Sequence, residues 1–68
     1  MTLNNFINHL KHKSIHLEVY DENGIFVWAG PVGSYKYWIY KNEANDKDIN
    51  LIQPKNNDDG FIITLEGE

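Results

Sequence analysis

Sixty-eight residues with a net charge of −4 and no cysteine make a single domain, 1–68, without disulfides or thiolate metal ligands. A chain of about 60 residues buries only ~60% of its unfolded surface, so stability has to come from a compact core or from association. All six basic residues are lysines; without arginine, the side chain that forks onto phosphate and guanine, the chain is a poor reader of duplex nucleic acid.

The first element is predicted as a short amphipathic helix over 2–12. Thr2 is placed to act as its N-cap, and Leu3, Phe6, Ile7 and Leu10 recur at i, i+3, i+4 and i+7 as one apolar stripe. Lys11, His12 and Lys13 fall in its last turn, where cations complement the helix dipole. So short a helix is marginal in water and is expected to dock on a sheet. Its asparagines stand where a signal peptide has an apolar region, and no apolar run reaches the ~18 residues of a membrane span. The expectation is a cytoplasmic chain that does not enter a membrane.

Residues 15–29 read as a β-hairpin, and two turns fit it. A type I′ turn centred on Asn23-Gly24 sets Val19 opposite Trp28. A type I turn over Asp21-Glu22-Asn23-Gly24, closed by a G1 bulge, sets Val19 opposite Val27. Asp at the first position and Gly at the fourth favour the second. That register sorts Ile15, Leu17, Val19, Ile25, Val27 and Ala29 onto an aliphatic face for the helix. Tyr20, Phe26 and Trp28 then share the other face with His16 and Glu18.

Gly30-Pro31-Val32-Gly33 breaks the strand. Over residues 34–42, Tyr35, Trp38 and Ile39 fit a helical stripe and Tyr35, Tyr37 and Ile39 a strand; the reading leans to a short helix or irregular crossover. Glu43 to Lys47 is a polar loop. Two strands close the chain, Asp48–Gln53 and Phe61–Glu66, joined by the turn-rich segment Pro54 to Gly60. The expected fold class is α+β: an N-terminal helix packed on a small antiparallel sheet of about four strands, two hairpins linked by a short crossover.

Chemistry-bearing constellations are thin. His9, His12 and His16 lack further ligands aimed at a common point, so no metal site is assigned. Asn57, Asp59, Gly60 and Glu66 match positions 3, 5, 6 and 12 of an EF-hand loop, but Lys55 stands where the first acid belongs. Ser14 and Ser34 lie outside any nucleophile elbow, and the acid pairs Asp21-Glu22 and Asp58-Asp59 sit at turn tips. No cofactor site is marked, and no enzyme is expected.

The aromatics carry more. Tyr20, Phe26, Trp28, Tyr35, Tyr37 and Trp38, with Tyr40, crowd into about twenty residues. Three readings compete: a second small core made as the crossover folds over the hairpin, an exposed protein-binding patch, or a platform for single-stranded bases with Lys36 and Lys41 on the backbone. Residues 42–68 carry −5 against +1 for 1–41, and that acidic half repels nucleic acid.

A short helix followed by Val19-Tyr20-Asp21-Glu22-Asn23-Gly24, then Trp28 and Gly30, resembles small uncharacterised α+β proteins of low-GC Gram-positive bacteria, their phages and mobile elements. The likeness spans about the first forty residues and is mostly hairpin grammar. It implies an accessory protein of a phage or mobile element and carries over no functional residue. The sequence thus favours a non-catalytic interaction or regulatory module that binds a protein partner, with Tyr20, Phe26, Trp28, Tyr35, Tyr37 and Trp38 as the contact residues. A homodimer is favoured over a monomer. The alternatives are a single-stranded nucleic-acid binder and a structural subunit assembling through strand edges, with Phe61–Glu66 as the candidate edge.

Overall fold

The computed structural model describes residues 1–55 and 60–67. Helix α1 (Leu3–His9) leads into strands β1 (His16–Tyr20) and β2 (Phe26–Pro31). A 3₁₀ helix (Val32–Tyr37) and the one-turn α2 (Lys41–Ala44) form the crossover to β3 (Ile49–Pro54) and β4 (Gly60–Leu65). The expected α+β fold, helix plus four strands, is present. Part of the polar loop expected at Glu43 to Lys47 is helical; of residues 34–42, read as a short helix or irregular crossover, 34–37 end the 3₁₀ helix and 41–42 open α2.

The strands run in the order β2-β1-β4-β3. Each hairpin is antiparallel, but β1 and β4 are parallel neighbours at the centre, so the sheet is mixed where an antiparallel one was expected. The expected edge strand, 61–66, is therefore a central strand, flanked by β1 and β3; the edges are β2 and β3. At the start of β4, Gly60 pairs with His16 so closely that a Cβ on it would overlap the His16 carbonyl oxygen.

Helix α1 begins as its sequence dictates. Thr2 Oγ1 accepts from the Asn5 N–H at 3.1 Å, while the N–H groups of Leu3 and Asn4 donate to the carbonyls of Lys47 (2.9 Å) and Asn45 (3.1 Å). The helix stops at His9, three residues short of expectation, because Leu10 turns extended. Lys11, His12 and Lys13 lie beyond it; the carbonyl of His12 accepts from Ile15 N–H (3.3 Å) and that of Lys13 from Gly33 N–H (2.9 Å).

The first hairpin has the expected type I turn with a G1 bulge. Gly24 N–H donates to the Asp21 carbonyl (3.0 Å), Asp21 N–H to that of Ile25 (2.9 Å), and Gly24 adopts φ +80°. The Asp21 carboxylate also accepts from the N–H groups of Asn23 (2.8 Å) and Ile25 (2.9 Å). A second irregularity follows. Tyr20 pairs with Phe26 but Val19 with Trp28, leaving Val27 as an extra residue. Val19 is thus opposite Trp28, not Val27, and the slip moves Trp28 onto the Leu17–Val19 face. Ile25 and Ala29, assigned to the buried aliphatic face, are exposed.

All the helical elements pack on one face. Leu17, Val19, Ile63 and Leu65 are fully buried beneath Leu3 and Ile7 of α1, Val32 and Tyr35 of the 3₁₀ helix, and Ala44 of α2. Phe6 meets Phe61 edge-on at 5.7 Å between centroids. By the alternation of the strands, the opposite face presents His16, Glu18, Tyr20, Phe26, Leu51, Gln53, Ile62 and Thr64. Among the described residues nothing covers it.

Candidate functional site

The structure divides the aromatic residues singled out by the sequence. Trp28 packs edge-on against Tyr35 at 5.3 Å and lies tilted against Trp38 at 6.1 Å; Tyr35 and Trp38 are 5.9 Å apart. Trp28 and Tyr35 are buried and Trp38 half-buried, and these rings join the one core under the helical elements; they do not form a second core on the back of the hairpin. The Tyr35 hydroxyl donates to Asn45 Oδ1 at 2.7 Å and reaches the Lys41 carbonyl at 3.3 Å, and burial pushes its pKa up to about 12. Trp28 and Tyr35 have no free ring face to offer nucleic-acid bases. Tyr37 stands 75% exposed on the 3₁₀ helix with Lys36 Nζ 5.1 Å over its ring.

Tyr20 and Phe26 remain together on the open face, edge-on at 6.0 Å. Phe26 is 58% exposed, and Leu51, which lies in the same row of the face on the opposite edge strand and was not marked by the sequence, is 47% exposed. Glu18 is in the next row of the face, beside Tyr20 on β1 and opposite Ile62. Its carboxylate accepts from Lys55 Nζ and from the Tyr20 hydroxyl, each at 2.9 Å. The Lys55 bond, then the Tyr20 bond, holds the Glu18 pKa below the usual carboxylate range; donating to Glu18 raises the Tyr20 phenol. A partly exposed pair of this kind contributes little stability, but it fixes where the polar atoms of the face sit.

Two concavities flank the crossover on the other side. One, of about 310 Å³, is walled by Val27, Trp38, Tyr40, Ala44 and Leu65. The other, of about 520 Å³, lies between α1, the 3₁₀ helix and α2 and brings Lys36 and Lys41 together with Lys13. The sequence had grouped only the first two lysines; its signal for the third was the positive balance of residues 1–41.

The histidines do not converge. His9 Nδ1 is 2.6 Å from the Asn5 carbonyl, His12 lies past the helix, and His16 is exposed on β1. Among the described residues no three His, Cys, Asp or Glu side chains cluster as metal ligands. The EF-hand-like positions Asn57 and Asp59, and the Asp58-Asp59 pair, lie outside the described residues. Ser14 and Ser34 are exposed. Among the described residues no helix is long and apolar enough to cross a membrane.

No family model, no curated protein and no solved structure matches the chain.

Proposed function

We propose that the chain is a non-catalytic protein-interaction module whose open sheet face docks on a partner protein. One observation carries this reading: every helical element packs on a single face of the sheet, leaving Phe26, Leu51, Tyr20 and Ile62 grouped on the other. The Glu18–Lys55–Tyr20 bonds set an oriented polar group among these apolar side chains. Both shifted groups of that network are bonded to each other on an open surface, without the enclosure that acid–base catalysis uses.

The size of the face says something about how a partner sits. Four strands ~4.8 Å apart, one of five and three of six residues, at ~3.3 Å per residue present roughly 350 Å² of flat area. A standard interface buries ~800 Å² per partner. A partner must therefore reach beyond the face, and β3 is the natural continuation, an edge strand exposed from Asn50 to Pro54.

A photo-crosslinking amino acid at Phe26 or at Leu51, with Lys11 as the control position, tests the reading in the source cell. Discrete protein adducts from Phe26 and Leu51 but not from Lys11 are expected. Adducts of only twice the chain mass would assign the face to a second copy and overturn the reading. So would the same adducts from all three positions, or none.

A further inference from the structure

The three short segments over the covered face do not close on one another. Between them lies the cavity of about 520 Å³, within the ~300–1,000 Å³ usual for small-molecule sites. Its polar walls are Lys13, Lys36, Lys41, Asn4, Asn8 and Asn45. Half of the chain's six lysines thus line one cavity, and no acid does among the described residues, in a chain whose net charge is −4. The single ion pair among the described residues is Lys55–Glu18, so no carboxylate among the described residues forms an ion pair with the three cavity lysines.

The amides divide in the same direction. Asn45 is engaged, its Oδ1 accepting from Tyr35 and its Nδ2 donating toward Asn42. Asn4 and Asn8, one turn apart on α1, make no side-chain hydrogen bond among the described residues and keep their donors for an occupant. Ile7 and Val32 supply apolar wall, and the exposed Tyr37 ring stands at the rim.

We propose that this cavity binds a phosphate-bearing small molecule, its phosphate among Lys13, Lys36 and Lys41 and its organic part against Ile7, Val32 and Tyr37. A phosphate dianion can accept from more than one of these ammonium groups, where a monovalent carboxylate matches a single charge. A nucleic-acid strand fits less well: these three basic side chains are confined to one concavity, and the acidic balance of residues 42–68 repels a polyanion. The site is on the opposite side of the sheet from the proposed docking face, so either can fail without the other.

Amide NMR of the full chain, titrated separately with AMP, inorganic phosphate and adenosine, tests the proposal. AMP is expected to shift the amides of Asn4, Asn8, Lys36 and Lys41, phosphate to shift the same set more weakly, and adenosine to leave them in place. Replacing all three lysines (Lys13→Gln, Lys36→Gln, Lys41→Gln) should weaken AMP at least about tenfold with the spectrum otherwise preserved, while Lys11→Gln does not. The proposal is overturned if neither phosphate nor AMP shifts those amides at millimolar concentration. It is equally overturned if adenosine acts as AMP does, or if the triple variant binds undiminished.

Discussion

The two faces of the one sheet carry similar side chains in different surroundings. On the covered face, Leu17, Val19, Ile63 and Leu65 are sealed by α1, the crossover and the ring of Trp28. On the open face, Tyr20 and Ile62 of those same two strands, with Phe26 of β2 and Leu51 of β3, stay in contact with water. The contrast teaches that a small chain can complete its core with one face and leave the other available. Substitutions on the covered side should therefore cost folding, and substitutions on the open side should cost association.

The largest expected effect is at the seam that holds the faces together. Gly60→Ala forces a Cβ into the His16 carbonyl and separates the central strands, at a cost of about 3 kcal/mol or more, enough to unfold much of so small a domain. A cooperative melt close to that of the parent chain would show that β1 and β4 are not adjacent as described. Trp28→Ala empties the cluster shared with Tyr35 and Trp38 and should cost ~3–5 kcal/mol in denaturant unfolding. A loss comparable to that of an exposed residue would return Trp28 to the open face. Thr2→Ala removes the cap of α1 and should cost about 1 kcal/mol by the same measurement.

The smallest effect is electrostatic and belongs to the open face. The lowered pKa of Glu18 means that the unfolded state binds its proton more readily than the folded state. The stability contributed by Glu18 is therefore present above the ordinary glutamate value and is lost as pH falls through the lowered one. In Lys55→Gln, the Glu18 titration followed by carboxyl NMR should move upward, since the Lys55 bond is the largest cause of the depression. An unmoved titration would remove the ion pair from the account.

What was legible in the sequence was local. The Leu3–Phe6–Ile7–Leu10 stripe and the Thr2 cap depend on residues within one or two turns, and both are present. The Asp21–Gly24 turn follows from the carboxylate of the first residue and the left-handed tolerance of the last. The extra residue at Val27 was not legible, because the demand that buries Trp28 comes from Tyr35 and Trp38, across the crossover. A one-residue slip then carried Trp28 to the opposite face. The central place of β4 is likewise non-local, although the run Phe61-Ile62-Ile63-Thr64-Leu65, apolar on both faces, is what a strand with two neighbours needs. The cavity lysines come from three separate segments, and no spacing rule joins them.

The most direct test of the contrast between the faces is the double variant Phe26→Ser, Leu51→Ser, compared with the parent chain for thermal unfolding and for adducts from a crosslinker at Ile62. Two exposed side chains should cost together no more than about 1–2 kcal/mol, so the variant melts cooperatively near the parent while its protein adducts disappear. Undiminished adducts from a folded variant, or the collapse of the fold itself, would contradict the assignment of this face to binding.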